Sequence, residues 1–188
     1  MRNFMSLFKD SAKELKNLRC ITVSAMLGAL AIVLSFLTIT SDSLKVGISS
    51  LPGRVVFFLF GPFVGAVYGV AKDILNYIIR PTGPFHPGFT LNAALSGVIF
   101  GLILYKRPLK FIRVFIAITL NAIVVNIILN TYWLTTIVGK GFWVLLPARL
   151  TKNIIFLPIE ALLLFMVIKA IKAAGVMKLV KQGENEVY

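Results

Sequence analysis

Polar and ionisable side chains recur on one side of three apolar stretches of this sequence. Within each stretch the polar positions lie three, four or seven residues after the first one, which places them on one face of an α-helix. The three sets are Asp73, Asn76, Tyr77 and Arg80; Asn126, Asn130 and Trp133; and Arg149 with Lys152. Carboxylates, amides and cations can hydrogen-bond a small polar molecule and aromatic rings can stack on it, so the pattern indicates binding chemistry.

A stretch rich in proline and glycine, residues 80–92, follows the first of these sets. Its prolines cannot donate backbone hydrogen bonds, so it cannot cross a bilayer as a helix or strand and must lie in water or against protein. It contains the one histidine of the chain, His86, near Phe85, Phe89 and Thr90. We interpret this stretch as a loop that closes over a ligand. The alternative is a rigid linker whose prolines only end one helix before the next.

The usual motifs of enzyme sites are missing from the sequence. It has no phosphate-binding glycine loop with its lysine and no His-Glu-x-x-His pattern, and its single cysteine, Cys20, cannot form an intrachain disulfide or a paired metal site. His86 has no second histidine beside it. Asp73 and Glu160 are predicted to lie toward different halves of the membrane, so they are not expected to act as paired carboxylates. We therefore expect a binding protein without metal or cofactor, rather than an enzyme.

The composition is that of an integral membrane protein. Of the 188 residues, 58% are hydrophobic and 14% are charged, and the mean hydropathy is +0.89. The net charge is +13, from 20 lysines and arginines against 7 acidic residues. In a membrane protein such an excess reflects topology and contact with anionic headgroups rather than nucleic-acid binding.

Six apolar segments are predicted to cross the membrane as helices, so the fold class is an all-α integral membrane protein. These segments are residues 21–39, 55–60, 63–79, 91–105, 114–137 and 145–171. The second is short unless preceding loop residues belong to its helix, and Gly61-Pro62 predicts a sharp turn after it. Gly61, Gly65 and Gly69 recur at four-residue spacing and predict close packing of the third helix against a neighbour.

The distribution of lysine and arginine predicts that both termini are cytosolic. The amino end, the loop at 106–113 and the carboxyl tail are rich in these residues, whereas the opposite loops contain only Lys45, Arg80 and Lys140. We accordingly divide the chain into an amphipathic interfacial segment at 1–19, a six-helix transmembrane domain at 20–172 and a basic, polar cytosolic tail at 173–188. A flexible tail is the alternative for residues 1–19.

In this topology the three polar sets lie in the outer halves of their helices and can converge on one outward-facing cavity. Ionisable groups at membrane depth usually mark a functional site because their burial is costly. The alternative is that Lys72 and Asp73 form an ion pair at a helix end and that Arg149 and Lys152 extend to lipid headgroups.

The sequence also resembles a known family over nearly its whole length. The six short predicted spans, the small residues Ala25 and Ala29 in the first of them, and Phe60-Gly61-Pro62 with its following glycines are similar to the substrate-binding S components of energy-coupling factor (ECF) vitamin transporters. Residues 85–90, Phe-His-Pro-Gly-Phe-Thr, resemble the Phe-x-Pro-Gly-Phe-Thr stretch of the folate-specific members, in which the second position is often aromatic.

The resemblance implies a prokaryotic plasma-membrane protein that binds folate from outside and has no pump of its own. It would join a transmembrane coupling subunit, docking through Ala25, Gly28 and Ala29, and two cytosolic ATPases. A pterin requires stacking rings with amides or carboxylates, and the two carboxylates of the glutamate tail require cations. The candidate binding residues are Arg54, Asp73, Asn76, Tyr77, Arg80, Phe85, His86, Phe89, Thr90, Asn126, Asn130, Trp133, Arg149 and Lys152.

Other functions remain compatible with the residues. By charge alone the ligand could be riboflavin, biotin or pantothenate instead of folate. A small stand-alone secondary transporter could use Asp73 or Glu160 as a proton or sodium site. A membrane enzyme acting on lipid headgroups through His86, and a purely structural six-helix protein, are the further alternatives.

Overall fold

The computed structural model describes residues 4–37, 39–40, 45–46, 48–81, 83–139 and 141–175. Almost all of these residues are helical. The helices are α1 (Phe4–Glu14), α2 (Leu18–Phe36), α3 (Leu51–Ile79), α4 (Pro87–Leu104), α5 (Phe111–Asn121), a π-helical stretch (Ala122–Leu129), α6 (Asn130–Val138) and α7 (Phe142–Ala173). Two two-residue strands, β1 (Ile39–Thr40) and β2 (Lys45–Val46), pair antiparallel between α2 and α3.

Five helical segments in the described part of the chain are long and apolar enough to cross a membrane. They are α2, α3, α4, the continuous segment Phe111–Ile137 and α7. The predicted membrane class is therefore confirmed. The predicted second and third spans both fall within α3, which begins at Leu51, four residues before the predicted start of the second span.

α3 is a helical hairpin rather than one long helix. Gly61 has φ 88° and ψ −169°, a left-handed conformation that glycine adopts without strain, and Pro62 follows it. A Cβ added to Gly53 would lie 3.2 Å from the Tyr68 ring, whereas 15 residues of straight helix would separate these positions by about 22 Å. The first arm (residues 51–60) therefore folds back along the second arm (residues 62–79). The predicted turn at Gly61-Pro62 is confirmed, and counting the arms separately gives six segments.

The second arm packs closely against α4. A side chain at Gly65 would collide with the backbone of Gly97, and one at Gly69 with the backbone of Ala93. The close-packing face predicted from the glycine spacing is therefore confirmed. Because the paired positions run in opposite directions along the chain, the two helices are antiparallel and the loop between them joins neighbouring helix ends.

α1 lies against the turn of the hairpin. The buried Ser11 hydroxyl donates to the carbonyl oxygen of Phe60 (2.6 Å) and accepts from the amides of Phe63 and Val64 (both 3.0 Å). A helix break leaves backbone groups without partners, and these bonds satisfy groups on both arms. Lys106 Nζ contacts Asp10 (3.2 Å), so α1 is also tied to the α4–α5 connection. The predicted amino-terminal helix is thus present, while its position in the headgroup layer stays a prediction.

The core lies among the first arm of α3, α4, α5 and α7. Val56, Phe60, Phe100 and Leu164 are almost fully buried there. The predicted cytosolic tail begins where α7 ends, at Ala173, and its residues 176–188 lie outside the described residues, as do Lys140 and residues 41–44 of the first predicted external loop.

Candidate functional site

Most of the predicted site residues gather at the end of the bundle opposite α1. We call this region the far end; it comprises residues 73–81, 83–92, 126–139 and 141–153. It contains the carboxyl end of the α3 second arm, the start of α4, α6 and the start of α7. Because α3 and α4 are antiparallel, the proline-rich loop between them lies here, as the sequence predicts.

The proline-rich loop is fastened to the second arm of α3. Thr90 Oγ1, in the first turns of α4, donates to the carboxylate of Asp73 at 2.8 Å. The Tyr77 and Phe85 rings lie 5.2 Å apart. Two residues from the predicted helix face thus contact two residues from the predicted loop. The rings of Tyr77 and Phe85 both lie at the far end.

The same loop packs against α6. The His86 ring lies 5.3 Å from the Trp133 ring and 5.8 Å from the Phe89 ring. Trp133 Nε1 donates to Asn92 Oδ1 at 3.2 Å, and a side chain at Gly88 would collide with the indole. Trp133 therefore packs directly against the start of α4, which only glycine at position 88 permits.

A second cluster joins the π-helical stretch to α7. Asn126 Nδ2 donates to Asn153 Oδ1 at 3.2 Å, and Arg149 Nη1 donates to the carbonyl of Asn126 at 3.3 Å. Arg149 is only 7% exposed. The alternative interpretation required its guanidinium to extend to lipid headgroups, and this burial argues against it. Lys152 is half-buried one turn further along the same helix.

Asn126 and Trp133 do not face the same neighbour, contrary to the prediction from their spacing. Asn126 meets α7, whereas Trp133 meets the start of α4. The physical reason is the π-helical stretch from Ala122 to Leu129, which contains Asn126 and holds more residues per turn than an α-helix. It rotates the residues that follow it away from the face expected at α-helical spacing. Asn130 is half-buried between the two.

Arg80 does not share the face of Asp73, Asn76 and Tyr77, so that part of the prediction is wrong. α3 ends at Ile79, and Arg80 has φ −139°, which takes it off the helical face. Its guanidinium donates to the carbonyl of Ser35 and lies 5.5 Å from the Phe36 ring, at the end of α2.

Arg54 lies in the core rather than at the far end. Its Nη2 lies 2.6 Å from Glu160 Oε2 on α7, and its guanidinium is 5.2 Å from the Phe100 ring. Arg54 is 7% exposed, and its Nη1 has no partner among the described residues. Glu160 of the same chain therefore already supplies a carboxylate to Arg54. The sequence-based prediction did not include this ion pair.

The predicted docking residues are divided between two faces of α2. Ala25 and Ala29 are exposed. A Cβ added to Gly28 would lie 3.5 Å from the Tyr68 ring, so Gly28 faces the protein interior. Gly28 does not share the exposed face of the two alanines, because one helical residue corresponds to a rotation of about 100°. Docking through these residues stays a prediction.

Sequence reasoning left Asn92 and Thr136 out of the predicted site. Asn92 ends the proline-rich stretch and is 6% exposed; its Oδ1 accepts from Trp133, while its Nδ2 has no partner among the described residues. Asn76 Oδ1 is likewise buried without a partner in the described part of the chain. Buried amides are normally hydrogen-bonded, so these two atoms are candidates for contacts with a ligand. A polar asparagine within a predicted apolar span could have identified Asn92 as a candidate site residue. No sequence feature pointed to Thr136.

The far end therefore combines aromatic rings, a buried amide donor, a buried amide acceptor and a buried guanidinium. Rings from Tyr77, Phe85, Phe89 and Trp133 can stack on a flat heterocycle. The amides of Asn76 and Asn92 can hydrogen-bond to the polar atoms along the edge of the heterocycle, and Arg149 can bind an anionic group.

Comparison with known proteins gives consistent matches. The profile of the family described as "ECF transporter, substrate-specific component" matches residues 19–168. The folate transporter FolT of Clostridium novyi (strain NT) is 34% identical over 130 residues, which cover 69% of this chain and 76% of that protein. FolT of Leuconostoc mesenteroides is 30% identical over 142 residues, covering 72% and 77%.

Two further similarities concern a second vitamin and a solved structure. The riboflavin transporter RibU of Staphylococcus aureus (strain TCH60) is 30% identical over 164 residues, covering 83% of this chain and 84% of that protein. A crystal structure of FolT bound with folic acid superposes with a TM-score of 0.72 at 32% identity, covering 79% of this chain and 90% of that one.

Proposed function

This chain belongs to the family of substrate-specific components of ECF transporters, and we propose that it binds folate at its far end and delivers it through a coupling subunit. It is a multi-pass protein of a prokaryotic cell membrane. The observation that carries the proposal is the similarity in both sequence and fold to a FolT structure that holds folic acid. Members of this family are transporter components, in line with a binding rather than an enzymatic role.

The geometry of the far end suits the pterin part of folate. A pterin is a flat heterocycle with hydrogen-bond donors and acceptors along its edge. The rings of Tyr77, Phe85, Phe89 and Trp133 offer stacking surfaces, and Asn76 Oδ1 and Asn92 Nδ2 offer one acceptor and one donor without protein partners in the described residues. Asp73 and Thr90, bonded to each other, support the loop that closes over the ring.

The glutamate part of folate needs cations, and we assign it to Arg149 and Lys152. Arg149 is buried beside the π-helical stretch, where its Nη1 already bonds the Asn126 carbonyl. Charge-assisted hydrogen bonds from a guanidinium or an ammonium group to a carboxylate are stronger than bonds between neutral groups, which suits these two cations to the glutamate. Arg54 lies in the core against Glu160 and Arg80 lies against the end of α2, so neither is assigned to the glutamate.

Riboflavin is the second candidate ligand, because RibU of Staphylococcus aureus is similar over 83% of this chain. Riboflavin is also a flat heteroaromatic molecule and could stack on the same rings. It carries no carboxylate, however, so it would form no hydrogen bonds between a carboxylate and Arg149 or Lys152. This difference in charge favours folate. No observation on the structure favours biotin, pantothenate or a stand-alone transporter.

Transport by this chain would require other subunits. We propose that the exposed residues Ala25 and Ala29 form the docking face for a transmembrane coupling subunit, which in turn engages two cytosolic ATPases. Small side chains on an exposed helix face allow another helix to approach closely. We keep the proposed division into an interfacial segment at 1–19, a transmembrane domain at 20–172 and a tail at 173–188, with both termini in the cytosol.

A ligand panel on the purified chain, without ATP, tests the proposed ligand. Folate, riboflavin, biotin and pantothenate are each added in excess and the unfolding midpoint is measured. A ligand at about 100 times its Kd stabilises the folded state by about 2.7 kcal/mol. We expect folate to raise the midpoint most. A rise with riboflavin and none with folate would overturn the folate assignment while leaving the family unchanged.

Cellular uptake tests the proposed partners. Folate uptake should require co-expression of a coupling subunit and its ATPases. Uptake by cells that lack all three subunits would instead support a stand-alone secondary transporter.

A further inference from the structure

A network of hydrogen bonds around His86 connects the start of α4 with α6. The Gly88 amide donates to His86 Nδ1 at 3.1 Å, and His86 Nε2 lies 3.4 Å from Thr136 Oγ1. The Thr136 hydroxyl donates to the carbonyl of Trp133 at 2.6 Å. Trp133 Nε1 then returns to α4 by donating to Asn92 Oδ1 at 3.2 Å.

This hydrogen-bond network requires one particular tautomer of His86. Nδ1 accepts from the Gly88 amide, so it carries no proton, and the proton of the neutral imidazole is on Nε2. Nε2 can then donate to Thr136 Oγ1, whose own hydrogen is directed to the Trp133 carbonyl and whose lone pairs are available. Every link thus has one donor and one acceptor.

His86 performs three tasks that no single smaller or apolar residue can perform. As the N-cap of α4 it satisfies an amide of the first helical turn, which a phenylalanine could not do. Its ring also packs against the Phe89 and Trp133 rings, with centroids 5.8 Å and 5.3 Å away, which an asparagine could not do. Histidine alone combines the cap, the stacking and the bond to Thr136.

We propose that His86 is a positioning residue that fastens the start of α4 to α6, and that it thereby sets the rate at which a bound ligand leaves the far end. This inference rests on the proposed folate function for its ligand. Phe85 and Phe89 flank His86 in the same loop, so releasing α4 from α6 moves both rings away from Trp133. The ligand then loses stacking partners on one side of the site.

Two substitutions separate the tasks of His86. His86→Asn keeps an N-cap acceptor but removes the ring and the bond to Thr136, whereas His86→Phe keeps a ring but removes both hydrogen bonds. Thr136→Val removes the partner of Nε2, together with the bond to the Trp133 carbonyl, with little change in side-chain shape. It serves as a milder variant if a His86 variant folds poorly. The folate dissociation and association rates are measured for each purified variant.

We expect each single variant to raise the folate dissociation rate by about 2- to 10-fold, the range for one or two lost hydrogen bonds, with a smaller change in the association rate. The double variant His86→Asn with Thr136→Val should raise the dissociation rate by less than the product of the two single effects, because each substitution removes the same bond between His86 and Thr136. Dissociation rates within the error of the unmodified chain, or fully additive effects in the double variant, would overturn the proposal.

Hydrogen exchange of the ligand-free protein tests the fastening without any ligand. The Gly88 amide should exchange faster in His86→Phe, which lacks a cap acceptor, and at about the original rate in His86→Asn. Equal exchange in both variants would refute the assigned role of Nδ1. If the unmodified chain binds riboflavin and not folate, the folate proposal fails, while this exchange measurement still decides the role of His86.

Discussion

The Ser11 hydroxyl of α1 and the Phe60 carbonyl oxygen of α3 are 2.6 Å apart and fully buried, although 49 residues separate them in the chain. The same hydroxyl accepts from the amides of Phe63 and Val64 beyond the break at Gly61. A side chain from outside the hairpin therefore satisfies the backbone on both sides of its turn. This contact links α1 to the turn at Gly61-Pro62, which divides α3 into two arms.

Replacing Ser11 by alanine should destabilise the protein by about 2–3 kcal/mol, because buried backbone groups at the break lose their partner. The measurement is the unfolding midpoint in detergent without ligand. Ser50→Ala is the matched control, since Ser50 is the N-cap of α3 but its side chain makes no capping bond. Equal midpoints for the two variants would refute the role assigned to Ser11.

Replacing Asn76 by leucine should weaken folate binding by about 10-fold or more without destabilising the ligand-free protein. The Asn76 Oδ1 atom is buried without a partner in the described part of the chain, so its removal relieves an unsatisfied acceptor while taking a contact from the ligand. Calorimetric affinity and the ligand-free midpoint are measured together. Asn121→Leu is the control: its Oδ1 is also buried without a described partner, but it lies outside the far end. A loss of affinity in the control would point to indirect effects.

Replacing Arg149 by alanine should weaken folate binding by about 1–3 kcal/mol, the cost of a lost bond to a charged group. Pteroate, which lacks the glutamate, separates two explanations. If Arg149 binds the glutamate carboxylates, pteroate affinity should change little. Because Arg149 also bonds the Asn126 carbonyl, an equal loss for both ligands would mean that it acts by holding the π-helical stretch.

Breaking the ion pair between Arg54 and Glu160 from one side should be costly. Glu160→Gln leaves a buried guanidinium without its carboxylate, and we expect a loss of about 3–5 kcal/mol in stability. The double variant Arg54→Met with Glu160→Leu removes both charges and should recover most of that loss. The readout is the unfolding midpoint without ligand. If the double variant is as unstable as the single one, the pair contributes through packing rather than charge.

Bulk on the exposed face of α2 should separate binding from transport. Ala25→Trp and Ala29→Trp should retain folate affinity and abolish uptake, because a large side chain blocks the approach of a coupling subunit. Gly28→Trp should instead lower stability, since Gly28 faces the Tyr68 ring. Lost folate affinity in the two alanine variants would contradict this division of roles.

Local sequence features were sufficient to predict much of this fold. Apolar length predicted the membrane helices, the pair Gly61-Pro62 predicted the turn of the hairpin, and the glycine spacing predicted the close contact of the second arm with α4. Each of these depends on a few consecutive residues, whose conformational preferences act whatever the rest of the chain does. The proline-rich loop was found in the same way, because prolines and glycines cannot continue a membrane helix.

Tertiary structure alone decided which polar groups meet. The partners Arg54 and Glu160 are 106 residues apart, and no local pattern relates them. Arg80 left its predicted face because α3 ends one residue earlier, and Trp133 left the face of Asn126 because a π-helical stretch lies between α5 and α6. A change of one residue rotates a helical side chain by about 100°, so small local irregularities redirect side chains that sequence spacing places together. Sequence spacing therefore identified which residues could bind a ligand, while helix ends, rotations and long-range contacts determined which of them face one another.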